Sequence, residues 1–147
     1  MKKPFAIILA ILSIVVVIRV PLFLHSPEGA EVIFRLHRTA FDRAAECALE
    51  TRHGEDIQNP AGVDRVTVQS SPYGEGYYVD FEMGASGFAS ESLYWGITFS
   101  RDGPVGFQGE MPEATGQDSW YWAEPDGDNW SRITQLAENW FLYEMHF

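Results

Sequence analysis

Residues 5–24, FAIILAILSIVVVIRVPLFL, form an almost unbroken apolar run near the start of the chain. At the helical rise, about twenty residues span the hydrocarbon core of a bilayer, so the run is expected to be a transmembrane helix. Lys2 and Lys3 stand just before it, and the positive-inside rule then keeps residues 1–4 in the cytoplasm. Residues 25–147 follow as an extracytoplasmic domain of a single-pass cell-membrane protein. A cleaved signal peptide is the rival reading, because the charged start and apolar core suit one. Leu22, Phe23, Leu24 and His25 supply no small residues for cleavage, and no Cys follows the run for lipid attachment. An uncleaved signal anchor is therefore favoured. Arg19 is costly at the bilayer centre, but near the outer end it can snorkel to the headgroups.

Charge divides at nearly the same place. The first 27 residues contain Lys2, Lys3 and Arg19 and no acid, whereas residues 28–147 hold all 21 acids against seven Arg, a net −14. Such a surface repels phosphate backbones, which argues against a nucleic-acid partner. With 46% hydrophobic and 14% aromatic residues the chain has the material for a packed core. Cys47 is the single cysteine, so no intramolecular disulfide supports that core. It is expected as a buried, inert thiol on a helix.

Beyond the apolar run the chain changes period once. Ser26-Pro27-Glu28 reads as a helix start, with Ser as N-cap, Pro at the first position and Glu at the positive dipole end. Ile33, Leu36, Ala40, Ala44 and Cys47/Ala48 form a helical stripe, and Glu31–Arg35 and Arg38–Asp42 are i,i+4 pairs. Gly54 is the expected stop, giving an amphipathic helix over about 28–52. Alternation follows: Tyr77, Val79, Phe81 and Met83 against Tyr78, Asp80 and Glu82, then Leu93, Trp95, Ile97 and Phe99 after a Gly/Ser-rich connection at 84–90. Val66 and Val68 make an earlier strand. Trp120–Trp122 and Trp130–Leu136 flank the turn Pro125-Asp126-Gly127-Asp128, and Asn139 leads into Trp140–Phe147. Ile133, Leu136, Ala137 and Trp140 also fit a helical face, but the β-branched and aromatic content favours strands. The expected fold class is α+β: an N-terminal transmembrane helix, then one amphipathic helix packed on a five- to six-stranded antiparallel sheet.

The segment Gly96–Pro104, with its Ser100-Arg101-Asp102-Gly103-Pro104 turn, precedes Trp120-Tyr121-Trp122 and the terminal Trp140-Phe141-Leu142-Tyr143. Together they resemble small single-pass bacterial envelope proteins with a Ser-x-x-Gly-Pro turn and Trp/Tyr-rich C-terminal strands. The resemblance covers about the last third of the chain. It implies strands and a bacterial envelope location, and no activity.

The residues that carry chemistry are scattered. His25, His37, His53 and His146 show no metal-ligand spacing with one another or with Cys47, and no cofactor is expected. Glu124-Pro125-Asp126-Gly127-Asp128-Asn129 gathers oxygen ligands like a calcium loop, but lacks the downstream bidentate Glu and equally suits a hairpin turn. No nucleophile-elbow motif surrounds a Ser, and no Gly-rich phosphate loop is present. Glu110 and Glu113, in the 105–119 connection, are the carboxylate pair that a small envelope hydrolase would use. A pilin-like reading fails on Lys3-Pro4 before Phe5, on Leu9 where a Glu is needed, and on Pro21 and Pro27.

The aromatics carry the most information. Trp120, Tyr121, Trp122, Trp130, Trp140 and Tyr143 crowd the last strands, and those that do not serve the core form a candidate interaction surface. The functional expectation is a membrane-anchored, non-enzymatic interaction module contacting an envelope protein or a glycan. A hydrolase, or a glycan- or calcium-binding domain, is the alternative.

Overall fold

Ser26 starts the main helix in the computed structural model of the chain, which describes Val20 and residues 23–54, 57–88, 91–106, 111–125 and 127–147. The backbone of Ser26 is extended and its hydroxyl accepts the Gly29 N–H at 3.2 Å. Helix α1 runs Pro27–Thr51, close to the 28–52 expected. It ends not at Gly54 but at Arg52, whose left-handed backbone (φ 58°) returns its N–H to the Ala48 carbonyl at 2.8 Å. The predicted pairs form on its outer side, Glu31–Arg35 at 2.8 Å and Arg38–Asp42 at 2.9 Å.

The face that α1 buries is turned from the predicted stripe. Leu36 is 74% exposed and Cys47 is exposed, whereas Ala30, Phe34, Phe41, Ala44, Ala45 and Ala48 are buried. Two Phe rings remove more apolar area from water than Leu36 can, and the Ala positions let the helix approach the sheet closely. A kink at His37 (φ −115°, ψ 20°) separates the turns that carry the two rings.

Seven strands follow: β1 (Arg65–Ser70), β2 (Tyr77–Phe88), β3 (Glu91–Phe99), β4 (Glu113–Ala114), β5 (Ser119–Ala123), β6 (Trp130–Ala137) and β7 (Trp140–His146). They make one sheet in the order β1-β2-β3-β7-β6-β5-β4, antiparallel at every pairing. The strand number is corrected from five or six to seven. Two-residue β4 is too short to show any alternation, and residues 84–88 continue β2 instead of connecting it to β3. Residues 130–147 are strands, turned at Asn139, whose φ of 63° is one that Asn tolerates.

The expected membrane helix needs correction too. Among the described residues no helix is long and apolar enough to cross a membrane. Of the span predicted over 5–24, residues 5–19, 21 and 22 lie outside the described residues. The described remainder is Val20 and a short turn at Phe23–Leu24, broken at His25–Ser26. Helix α1 cannot replace it, because Glu28 and the Glu31–Arg35 and Arg38–Asp42 ion pairs would be stranded in lipid. The transmembrane helix, the membrane as partner and the single-pass localisation are therefore not part of the fold described here.

Helix α1 covers one face of β1, β2, β3 and β7. Phe34, Phe41, Phe81 and Trp140 pack there with ring centroids 5.0–6.0 Å apart, joined by Val79, Trp95 and Ile97. Strand β7 is fourth of seven, and its Trp140, Phe141, Leu142 and Tyr143 are all buried, because alternate residues enter cores on opposite faces. On the face away from the helix, Ile133, Phe141 and Tyr143 form a second cluster with Trp120 and Met145. The connection from β3 must pass β7, β6 and β5 to reach β4 at the far edge, and its Val105 is 2% exposed.

Candidate functional site

The six aromatics singled out by sequence do not share a surface. Strand register puts Tyr121, Trp130 and Trp140 on the helix side, and Trp120, Trp122 and Tyr143 on the other. Trp140 and Tyr143 are buried, Trp120, Trp122 and Trp130 are half-buried, and Tyr121 is 38% exposed. Trp130 stacks against Tyr121 at 6.5 Å and His146 at 5.7 Å, with the Arg132 guanidinium 5.7 Å from its ring. Each neighbouring strand thus lays a ring against the indole, engaging the flat surface that stacking on a sugar would need.

The face away from the helix holds a different feature. A cavity of about 240 Å³ opens between β1, β2, β3, β7 and the β3–β4 connection. Its polar wall is Gln69, Tyr78, Asp80, Thr98 and Tyr143, and its apolar wall is Val105, Met145 and Phe147. Register explains the convergence. Asp80 pairs with Thr67 on one side and Thr98 on the other, Tyr78 pairs with Gln69, and Tyr143 pairs with Gly96. Directly paired residues point to the same face, so these side chains all rise from one side of the sheet. A second hollow of about 260 Å³, bordered by Arg65, Glu82 and Tyr94, shares Tyr143, Met145 and Phe147 with the first.

Gly96 makes the site possible. A Cβ there would sit 2.5 Å from the Tyr143 hydroxyl and 2.7 Å from Cζ, and would also strike the Phe81 carbonyl. The phenol of Tyr143 therefore lies over β3, through the space a side chain would fill, and hydrogen-bonds the Asp80 carboxyl on β2.

Burial sets the electrostatics. It pushes the Asp80 carboxyl up to about 6; the Tyr143 hydrogen bond pulls it down, neighbouring Glu82 raises it, and Arg65 lowers it. Arg65 offers little relief, because its guanidinium pairs with Glu82, Nε to Oε2 at 3.1 Å. Burial, then the nearby Asp80, also lifts Tyr78 to about 12 and Tyr143 well above the ordinary phenol value. Both phenols stay protonated and act as hydrogen-bond donors: Tyr78 to Gln69 Oε1 at 2.7 Å, and Tyr143 to Asp80. Two residues that line the cavity each hold an oxygen shut from solvent without a hydrogen-bond partner, Asp80 Oδ1 and Thr98 Oγ1. Unpartnered buried polar atoms are few in native proteins, because each costs about 1–3 kcal/mol.

The other sequence candidates do not assemble. Glu110 and Asp126 lie outside the described residues. Glu113 is exposed on edge strand β4, opposite Tyr121. In the β5–β6 turn, Asn129 donates its side-chain amide to Glu124 Oε2 at 2.9 Å, a bond that closes the hairpin. Among the described residues no three His, Cys, Asp or Glu side chains stand where they could hold a metal ion. Cys47 borders a larger hollow, of about 410 Å³, between α1 and residues 57–61.

Sequence reading passed over Asp80 and Thr98. Alternation sets Asp80 with Tyr78 and Glu82 opposite Val79 and Phe81 without saying what covers that side, and an acid in mid-strand is the one local signal that marks it. No protein-family model, curated protein or solved structure matches the chain.

Proposed function

We propose that the protein is a non-enzymatic interaction module that takes a small ligand in the Asp80–Thr98–Tyr143 cavity. One observation carries the reading: two residues that line a single cavity, Asp80 and Thr98, each hold a buried oxygen without a partner just behind its surface. A ligand that hydrogen-bonds both would relieve their desolvation, which the free fold bears without return. The volume suits a small molecule, being near the lower end of ordinary ligand sites of roughly 300–1,000 Å³. The two phenols of the wall, Tyr78 and Tyr143, are held protonated by burial, which disfavours them as nucleophiles beside Asp80. That favours holding a ligand over transforming one.

The test is an amide NMR screen of the full-length protein against small acids, bases and neutral compounds. Hits should perturb Asp80, Thr98, Val105 and Tyr143 together. A screen whose hits all map elsewhere, or that gives none at 10 mM ligand or so, would remove this cavity as the site.

A further inference from the structure

The oxygens of the cavity wall have a common sense. Tyr78 spends its proton on Gln69 Oε1 and Tyr143 spends its own on Asp80, so each phenol presents only lone pairs to the cavity. Asp80 Oδ1 is an acceptor, and the unpartnered Thr98 hydroxyl can accept as well as donate. The Gln69 amide nitrogen is directed at Thr67 Oγ1, at 3.4 Å. Acceptors therefore outnumber donors at the site, where the Thr98 hydroxyl and one Gln69 N–H are the donors left unspent. Its only charged side chain is Asp80, and the nearby Arg65 is held by Glu82. Phe147 and the Met145 thioether line the rest, beside the two phenol rings.

We infer that the cavity binds a small organic ammonium ion, with its N–H groups toward Asp80 Oδ1 and Thr98 Oγ1 and its alkyl part against Met145 and Phe147. This rests on the reading of the cavity as a ligand site and names the class of ligand. An ammonium group brings up to three donors and no acceptor, the complement of this wall. Carboxylate and ring faces together are the surroundings that stabilise a desolvated organic cation. A carboxylate or phosphate ligand would meet Asp80 with like charge and find no free cation among the described wall residues. A bare divalent ion would want several carboxylates, and Asp80 stands alone on the wall. A hollow of about 240 Å³ suits a ligand the size of a short chain or a small ring.

The experiment titrates the full-length protein at pH 8 with n-butylammonium, 1-butanol, butyrate and calcium, following amide NMR shifts. Butylammonium should perturb Asp80, Thr98 and Tyr143 and bind at least about tenfold more tightly than butanol, the difference a single good charged contact makes. Asp80→Asn should abolish that preference while leaving the fold's spectrum intact, and Thr98→Val should weaken binding without changing its sign. Binding should also weaken at pH 5, where Asp80 is largely protonated. Butanol or butyrate binding in the cavity as tightly as butylammonium overturns the ammonium assignment and leaves the ligand site standing. Calcium shifting the same residues at lower concentration overturns it in favour of a metal. Silence from all four probes also overturns it. The broader screen of acids, bases and neutral compounds then decides whether the cavity binds anything.

Discussion

The hydroxyl of Tyr143 reaches Asp80 across an intervening strand. Tyr143 belongs to β7 and Asp80 to β2, with β3 between them, and the ring crosses where Gly96 leaves β3 without a side chain. Two strands far apart in sequence thus meet at one carboxyl. The residues that frame the cavity are the ones whose substitution gives the sharpest tests.

Asp80→Asn is expected to stabilise the protein above neutrality. The folded carboxyl titrates near 6 and the ordinary one near 3.8, so between those values the folded chain holds a proton that the unfolded chain has lost. Stability contributed by this group therefore falls as pH rises through that window, and the deficit is full above about pH 6, on the order of 2–3 kcal/mol. Asn carries no charge to desolvate. Urea unfolding at pH 8 should show the variant more stable by about 1–3 kcal/mol, with the gap closing toward pH 3.5. A variant less stable than wild type at pH 8 would mean that Asp80 is paired with a cation.

Gly96→Ala should disturb the crossing itself. The added methyl meets the Tyr143 ring and the Phe81 carbonyl, and the backbone oxygen cannot yield as a flexible side chain would. We expect a loss of about 1–3 kcal/mol by denaturant unfolding, as for overpacking in a closed core. The Asp80 carboxyl should also titrate higher by NMR, since the displaced phenol no longer favours its charged form. Wild-type stability with an unmoved Asp80 titration would show that Tyr143 reaches Asp80 by another route.

Phe41→Ala tests the opposite face. Phe41 is fully buried, with its ring 5.3 Å from both Phe34 and Phe81 and 6.0 Å from Trp140, so its loss leaves a cavity under the helix. The expected cost is about 3–5 kcal/mol, as for large-to-small changes in cores. Leu36→Ala should change stability by less than roughly 0.5 kcal/mol, because Leu36 is 74% exposed. The reverse ranking would restore the helical stripe read from sequence.

Much of the framework was legible because local signals agreed. The Ser26 cap, the i,i+4 pairs and the alternations in β2 and β3 each act within a few residues. The order of strands was not, since nothing local says that β7 slips between β3 and β6. One trace was present: Trp140-Phe141-Leu142-Tyr143 lacks alternation, as expected of a strand covered on both faces. The helix face was misjudged because Leu36 and Cys47 share a period with buried Ala44, while tertiary contact with Trp140 selects Phe34 and Phe41. The candidate site was hidden for the same reason. Asp80, Thr98 and Tyr143 are strand residues of ordinary type, brought together only by the register of three strands and by the absence of a side chain at Gly96.

Tyr143→Phe isolates the bond between the two residues, because it removes one oxygen and keeps the ring over β3. With the donor gone, the Asp80 carboxylate loses the hydrogen bond that favours its charged form, and its titration should move upward from about 6. The destabilisation is therefore largest where the carboxylate is ionised: about 1.5–3 kcal/mol at pH 8, the worth of a hydrogen bond to a charged group, and much less at pH 4. That pH trend is opposite in sign to the one expected for Asp80→Asn. The double variant separates the bond from the ring packing. With Asn at position 80 the same removal should cost only what a neutral hydrogen bond does, roughly 1 kcal/mol, and the cost should no longer vary with pH. Equal losses in both backgrounds at pH 8 would mean that the hydroxyl supports the fold through some other contact, and that the charge on Asp80 is borne without it.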